Sequence, residues 1–521
     1  MFIYETVNEY LEKKFKQYSN NEAIVYPEGD LRYTYAQMGE RINLLAKGLL
    51  SLGGKRNDHI AILAPSSPDW IMFFLAITKI GAVPVCLNDK NTVSELEYTI
   101  NHSDSVMLLT STIESYEIDL GNYPNIKKVI ILTNDAKEET DTIINLNTLE
   151  NRARYVPDFI LDDAVVHTKY NDILTIQYTS GTTGLPKAVM SVHYKVLSNV
   201  KIFLNNFDYN EHDKILSALP LYHVMGCLFT GLLSFMKGST LVLISQFKTR
   251  NVLDIIENVK CTSFHGVPTM YNFMLNYAKD YNITSLKKGM IAGDYCKPST
   301  IERIEKELGI QYLFPAYGQS EGVGFTQIRM DDPAEKRRYT VGRPVEGVEI
   351  RIVDENNHIL PTNTTGEIIV KMPFHMAGYY KNEAATNQTI INDWIYTGDL
   401  GQLDDDGYLV VKGRKKEIII RGGENISPIE IEDALKEYKR IKDVAVVGVP
   451  DDVMGEEVAA FIIVDEESKD LDEDILLHKI HKYTQKTLSK FKQPKYTRFV
   501  TKFPMTSSGK VQKYKLAKSL N

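Results

Sequence analysis

The chain has 521 residues, 43% apolar and 25% charged, a composition that fits a globular protein with a large buried core and excludes a low-complexity or disordered chain. Its formal net charge of -8 argues against a general nucleic-acid binder, which carries a basic surplus. The four cysteines, Cys86, Cys227, Cys261 and Cys296, lie far apart without a C-x-x-C pair, so neither a zinc cluster nor a disulfide framework is expected, and each reads as a small buried apolar residue.

The opening "MFIYETVNEYLEKKFKQ" has no apolar h-region, so no secretory signal is expected and a cytoplasmic location follows. The most apolar window, Trp70–Leu87, is interrupted by Lys79 and Pro84 and reads as a core helix running into a strand, not a membrane span. "SELEYTI" predicts a helix opened by a Ser94/Glu97 capping box. "VMLLT" (Val106–Thr110) and "KVIILT" (Lys128–Thr133) read as buried parallel strands. "PSTIERIEKELG" predicts a helix with a Ser299/Glu302 capping box and Gly309 as its stop. This alternation argues for parallel sheets covered by helices.

Beyond about Gly342, "VEIRIVD", "GEIIVKM" and "GYLVVKG" predict short strands in a β-rich region, with Asp406-Gly407 as a hairpin dipeptide. A boundary is predicted at Gly413–Glu417. A compact α+β segment follows it, whose helix starts with Ser427 as N-cap, Pro428 at N1 and Glu430 at N3. The tail after Lys490 is basic and contains a polar loop around Gly509.

The densest chemistry lies in "YTSGTTGLPKAV" (Tyr178–Val189), where hydroxyls, glycines and one Lys follow an apolar run. Hydroxyls and backbone N–H groups freed by Gly can wrap phosphate oxygens, and Lys187 adds a point charge. The spacing is not the G-x-x-x-x-G-K-[ST] of the common nucleotide loop, which disfavours a γ-phosphate transferase.

That segment resembles the signature of the adenylate-forming superfamily: acyl-CoA synthetases, peptide-synthetase adenylation domains and beetle-type luciferases. "LPLYHVMG" (Leu219–Gly226), "YGQSEG" (Tyr317–Gly322), "YTGDLG" (Tyr396–Gly401), "GRKKEIIIRGGENISPIEIE" (Gly413–Glu432) and "PMTSSGKV" (Pro504–Val511) resemble further family motifs in the family's order, over essentially the whole chain. The resemblance implies an α/β plus α+β architecture. A large N-terminal domain (1–413) would hold two helix-covered sheets and a small β-barrel, and a small mobile α+β domain (414–521) would follow. It implies ATP, Mg2+ and coenzyme A as co-substrates and cofactors, a carboxylate turned into an acyl-adenylate with loss of pyrophosphate, and then thioester formation.

Residue by residue, the resemblance makes Thr179, Ser180, Gly181, Thr182, Thr183 and Lys187 the pyrophosphate clamp. Glu321, with Thr179, would be the Mg2+ partner. Gly293, Asp294, Tyr317, Gly318 and Ser320 would bind the nucleotide, Asp294 and Tyr317 beside the adenine, Asp399 would accept the ribose hydroxyls, and Arg414 would make a second nucleotide contact. Lys510 would bridge the attacking carboxylate and the α-phosphate, where a cation offsets the repulsion of two anions. Lys416 matches the hinge of a swing between half-reactions, and Gly422, Gly423 and Glu424 would border the coenzyme A path. His223 would act beside the acyl group, and His265, Gly266, Val267, Val323 and Gly324 would wall the acyl pocket. Met372 and Ala188 depart from the family's usual Gly, Ser320 from its Thr, Glu417 from its Asp, and Asp294 from its Ala or Ser.

For the carboxylate, the texture of "SLKKGMIAGDYCKP" and "MDDPAEKRRYTVGRP" is most similar to medium-chain fatty acyl-CoA synthetases, which favours a medium- or long-chain fatty acid. An aryl-acid ligase, or a stand-alone adenylation enzyme that loads a carrier protein, is the alternative. No nucleic-acid partner and no membrane span are expected; peripheral membrane contact and a monomer or homodimer are left open.

Overall fold

The computed structural model describes residues 2–112, 116, 118–133, 139–179, 186–468, 471–505 and 511–520. It divides into two compact units, Met1–Glu349 with Lys371–Ile395, and Ile350–Val370 with Tyr396–Asn521. The expected boundary at 413/414 falls inside the second of these, at the end of strand Leu409–Arg414.

The first unit holds two large sheets. One has eight strands in the order Gly378–Tyr379, Lys187–Val192, Ile173–Thr179, Val83–Cys86, His59–Leu63, Met107–Thr110, Lys128–Ile131 and Ile143–Asn145. Its body is parallel, and the first two pairings are antiparallel. The other has nine strands, with a parallel centre that includes Lys214–Ser217, Ser263–Gly266, Lys288–Ile291 and Tyr312–Tyr317. In such sheets ligands sit beyond the carboxyl ends of the strands. Thr179, Gly266, Asp294 and Tyr317 all lie at or just past such ends.

The apolar runs explain these layers. "PDWIMFFLAITK" forms helix Pro68–Lys79, buried on nearly every side, with the Ser67 hydroxyl accepting from the Trp70 N–H at 3.2 Å and Pro68 at the first helical position. Lys79 is tolerated there because its ammonium pairs with Glu12. The helix runs into strand Val83–Cys86, as expected. Cys86, Cys227 and Cys261 are buried and Cys296 partly so, all as free thiols. No helix among the described residues is long and apolar enough to cross a membrane.

Two capping expectations are corrected. Helix Val93–His102 begins two residues earlier than "SELEYTI" suggests, and Thr92 with Glu95 forms the capping box, because Thr92 is the last extended residue (φ -67°, ψ 161°) before the turn closes. Helix Pro298–Glu307 starts before Ser299, with Lys297 at the cap and no side-chain cap bond; Pro298 fixes the entry φ instead. Gly309, at φ +70°, does stop that helix.

The second unit contains the β-rich region, with strands Gly366–Lys371, Trp394–Leu403 and Leu409–Arg414. The last two are antiparallel and turn at Gly407, whose φ is +79°. The α+β segment has a five-stranded sheet built on the long hairpin Ile441–Asp451 and Gly455–Val464. Both faces of that hairpin are buried, so it reads as a continuous apolar run. Val444, Val446, Val458 and Ala460 face helices Pro428–Lys436 and Glu473–Thr487, while Ala445, Val447, Ala459 and Phe461 face Phe503 and Leu516. Ser427 is the N-cap residue before Pro428, as expected, but its hydroxyl donates to the Lys412 carbonyl at 3.1 Å instead of capping.

Candidate active site

Thr179 ends strand Ile173–Thr179 and faces Lys187, the first residue of the antiparallel strand Lys187–Val192. Its hydroxyl donates to the Lys187 carbonyl at 3.4 Å. Ser180, Gly181, Thr182 and Thr183 lie outside the described residues, so the structure fixes the two stems of that loop. Ala188, the methyl that departs from the family's Gly, is buried in the apolar cluster with Ile176 and Val85. It packs into the core and takes no part in the loop.

On the second sheet, strand Tyr312–Tyr317 runs into the YGQSEG turn. The Val323 N–H donates to the Gln319 carbonyl at 2.7 Å, and the Tyr317 ring meets Phe325 edge-on at 5.5 Å. Val323 has φ +65°, a left-handed conformation that a β-branched residue adopts at a cost of about 1–3 kcal/mol. Such strain marks a turn held by its surroundings, here directly after Glu321. Gly318 has no room for a side chain: a Cβ would stand 2.0 Å from the Val323 carbonyl oxygen. Gly318→Ala is therefore expected to destabilise the first unit by roughly 3 kcal/mol, seen as a lower thermal midpoint together with loss of the ATP-induced shift. Met372 packs its sulfur against Gly322, where a Cβ would lie 2.7 Å away. The second departure from the family pattern thus buttresses the same turn.

Glu321 and Lys187 are brought together by a residue that the sequence reading did not single out. The Tyr379 hydroxyl donates to Glu321 Oε1 at 2.7 Å, and Lys187 Nζ stands 4.6 Å from the centroid of the Tyr379 ring. Burial, and then the Glu321 charge, raise the Tyr379 phenol above its ordinary value, so the hydroxyl stays a donor. The signal was slight: "AGYY" forms a two-residue strand on Val189 and Met190, and no spacing announces a partner 192 positions from Lys187.

The expected acyl wall converges in part. Gln177 Nε2 donates to the Tyr222 carbonyl at 3.1 Å, which ties the phosphate-loop strand to the segment carrying His223. His223 is half-buried at the head of a π-helix, Met225–Gly231, a rare form frequent at functional sites. Gly293, at φ +89°, lies against Met225 and Val267, so three of the sequence-predicted segments meet there. Gly324 lies against the Phe203 ring and its carbonyl accepts from Asn199 at 3.0 Å. Gly266 lies similarly tight on Phe264. His265 is fully buried, with Nε2 paired to the Tyr209 hydroxyl at 2.9 Å and Nδ1 to the Thr230 hydroxyl at 3.0 Å, and burial lowers its pKa to about 3. Both nitrogens are engaged by protein groups, which leaves His265 a neutral structural residue. Asp294 is exposed and accepts from the Tyr295 N–H at 2.8 Å. Ser320 is half-buried in the YGQSEG turn.

In the second unit, Asp399 is buried on strand Trp394–Leu403, directly across from Arg414, whose Nε is 3.4 Å from its carboxylate. Lys416 lies in the 3-10 turn Lys415–Glu417, and Lys513 lies 3.6 Å from Glu417 and 2.8 Å from Glu432. Gly422 and Gly423 form a two-residue turn between strands Ile419–Arg421 and Glu424–Ile426, with φ +59° and +87°, the turn type that needs positive φ at both positions. A Cβ on Gly422 would strike Met454, whereas one on Gly423 meets nothing within 4 Å. Lys510 lies outside the described residues. No group of three or more metal-binding side chains occurs among the described residues.

Two family models match the chain, AMP-binding enzyme over residues 11–380 and AMP-binding enzyme C-terminal domain over residues 430–510. The chain belongs to the AMP-binding enzyme family. It is similar to the mitochondrial medium-chain acyl-CoA ligase ACSF2 of Bos taurus, 31% identical over 99% of this chain and 88% of that one. Its fold is similar to ATP-bound MatB from Rhodopseudomonas palustris, with TM-score 0.86, 25% identity and 99% of each chain covered. The anthranilate CoA ligase AuaEII in complex with anthranoyl-AMP shares the fold at TM-score 0.88 and 24% identity, over 100% of this chain and 98% of that one. The protein is thus an adenylate-forming, ATP-binding enzyme of the acyl-CoA synthetase class, with the two-sheet α/β fold and smaller α+β domain of its family.

Proposed function

We propose that the enzyme activates a medium- or long-chain fatty acid to its acyl-CoA, with AMP and pyrophosphate as the other products. The observation that carries the adenylating part of this reading is the meeting of Lys187 and Glu321 around Tyr379, at the carboxyl ends of strands where the phosphate loop and the YGQSEG turn emerge. A cation and a carboxylate held apart in one place suit a metal-complexed polyphosphate better than either charge alone.

In the first half-reaction a carboxylate oxygen attacks the α-phosphorus and the bond to pyrophosphate breaks. Lys187, with the Thr179–Thr183 loop, offsets the charge that builds on the leaving group. Glu321, with Thr179, would hold Mg2+, an ion that one carboxylate can serve because it retains several waters. Bound there, Mg2+ would neutralise phosphate charge. Asp399 accepts the ribose hydroxyls, a task for a carboxylate that can take two hydrogen bonds at once, and Arg414 holds its orientation. Lys510 brings the two reacting anions together. In the second half-reaction the coenzyme A thiol gives its proton to solvent, its sulfur attacks the acyl carbon, and the acyl carbon–oxygen bond breaks with AMP as the leaving group. Gly423 leaves the approach beside the 421–424 turn open.

The fatty-acid assignment draws support from the medium-chain relative. The aryl alternative draws support from the fold shared with the anthranilate ligase. A cytoplasmic location and a mobile segment 414–521 belong to the same reading and are tested by fractionation and by limited proteolysis with and without ligands; a carrier-protein acceptor is the alternative, tested by acceptor exchange. The deciding experiment is a carboxylate panel from C2 to C18 with benzoates, scored by CoA-dependent AMP release. Turnover confined to C6–C18 acids supports the proposal, and turnover of aryl acids alone overturns it.

A further inference from the structure

The geometry points to Tyr379 as a positioning residue that sets Lys187 through its ring face and Glu321 through its hydroxyl. The inference rests on the reading of Lys187 as a phosphate partner and Glu321 as the Mg2+ partner, and it adds a residue that acts through both. Lys187 begins a strand of one sheet, Glu321 lies in the turn that follows a strand of the other, and the two carry opposite charges. Left to themselves, two such groups pair directly, and each would then be spent before the nucleotide arrived. The Tyr379 side chain stands between them, with the ammonium on its face at 4.6 Å and the carboxylate on its hydroxyl at 2.7 Å. A ring face attracts a cation without occupying its N–H donors. A single phenol donor takes one carboxylate oxygen and leaves the second oxygen available.

The spacer is rigidly mounted. Gly378 and Tyr379 pair with Met190 and Val189, on the strand that Lys187 begins. On either side, the Ala377 N–H donates to the Met190 carbonyl and the Tyr380 N–H to the Ala188 carbonyl, both at 2.8 Å. The Tyr380 hydroxyl is anchored on Asp104 at 2.7 Å. One residue before this ladder, the Met376 N–H donates to the Glu321 carbonyl at 2.7 Å. Residues 376–380 therefore fasten both main chains as well as both side chains. The Thr389 hydroxyl, 3.5 Å from the Tyr379 oxygen, donates to it and turns the phenol proton toward Glu321. Tyr379 as a whole is 4% exposed, so its position is set by packing.

The two contacts separate experimentally. Tyr379→Phe keeps the ring and deletes the donor, and Tyr379→Leu deletes both. Calorimetric binding of ATP across a Mg2+ series reads the Glu321 arm, and binding of metal-free pyrophosphate reads the Lys187 arm. For Tyr379→Phe the Mg2+ concentration that half-saturates the ATP-binding gain is expected to rise about tenfold, the worth of a hydrogen bond to a charged group, with pyrophosphate binding unchanged. For Tyr379→Leu, pyrophosphate binding is also expected to weaken, by about fivefold. A Tyr379→Phe protein with the parent Mg2+ requirement, or one that loses both readouts equally, overturns the inference. Glu321→Gln is run beside them. If it leaves the Mg2+ requirement unchanged, the metal role of Glu321 itself fails; if it raises the requirement while Tyr379→Phe does not, only the positioning role fails.

Discussion

Lys510→Ala is expected to lower acyl-adenylate formation by about 10²- to 10³-fold, the effect of removing one electrostatic partner of a developing charge, while thioester formation from preformed acyl-AMP stays within a few fold of the parent. Gly423→Leu is expected to do the reverse. The loop that carries Lys510 is closed at its base by the antiparallel bridge of Met505 and Val511 and by the Gln512 N–H donating to the Pro504 carbonyl at 2.7 Å. Removing one ammonium there leaves that frame intact. At Gly423 a Cβ meets nothing within 4 Å, so a Leu side chain would project into open space beside the 421–424 turn and obstruct a long thiol substrate without touching the core. The φ of +87° makes the substitution cost about 1–2 kcal/mol locally, well short of unfolding the hairpin it closes. Pyrophosphate exchange measures the first step and CoA-dependent release of AMP from synthetic acyl-AMP measures the second. Equal loss of both steps in both variants would sink the separate roles given to these residues.

What was legible in the sequence was what local chemistry dictates. Apolar runs gave the parallel strands, Gly309 and Gly407 gave a helix end and a hairpin turn, and the Ser427-Pro428 pair gave a helix start. The capping boxes at Ser94 and Ser299 were misplaced because Thr92 and Pro298 offer competing starts within three residues, and register is decided by which one leaves extended backbone. Of the described residues placed by motif, Thr179, Gly266, Tyr317, Glu321 and Gly423 fall at strand ends or turns, whereas Asp399 lies inside a strand. Tyr379 escaped because its role is tertiary: it depends on an antiparallel pairing between segments nearly two hundred residues apart. His265 illustrates the converse. Its position beside the predicted acyl wall was legible, but the partners that occupy its two nitrogens, Tyr209 and Thr230, come from other segments of the chain.

Acidification from pH 6.5 to 5 is expected to reduce the stability of the first unit by about 3 kcal/mol, through His193 and His265. Both rings are fully buried, and burial lowers their pKa values to about 4 and about 3. His193 Nδ1 accepts the Val7 N–H at 3.1 Å, so a proton placed on that nitrogen would face a donor. The Asp172 carboxylate opposes the shift at His193 and is outweighed. His265 is enclosed by the hydroxyls of Tyr209 and Thr230, and Lys288, paired with Asp213 at 3.0 Å, stands over the Tyr209 ring. The sign follows from linkage. With folded pKa values depressed, the unfolded chain binds more protons below about pH 6.5, so stability from these groups is present above that pH and is lost as the pH falls toward the folded values. Ordinary carboxylates titrate below this window, and His102 and His375, which burial also lowers, add to the slope in the same direction. Denaturant unfolding of the parent at a series of pH values reads the slope. His193→Gln is expected to remove about half of the share that His193 and His265 carry even though it lowers stability at pH 7, since the neutral side chain has no proton to gain. A slope that survives in both His193→Gln and His265→Gln at its full value would show that other groups carry the acid sensitivity.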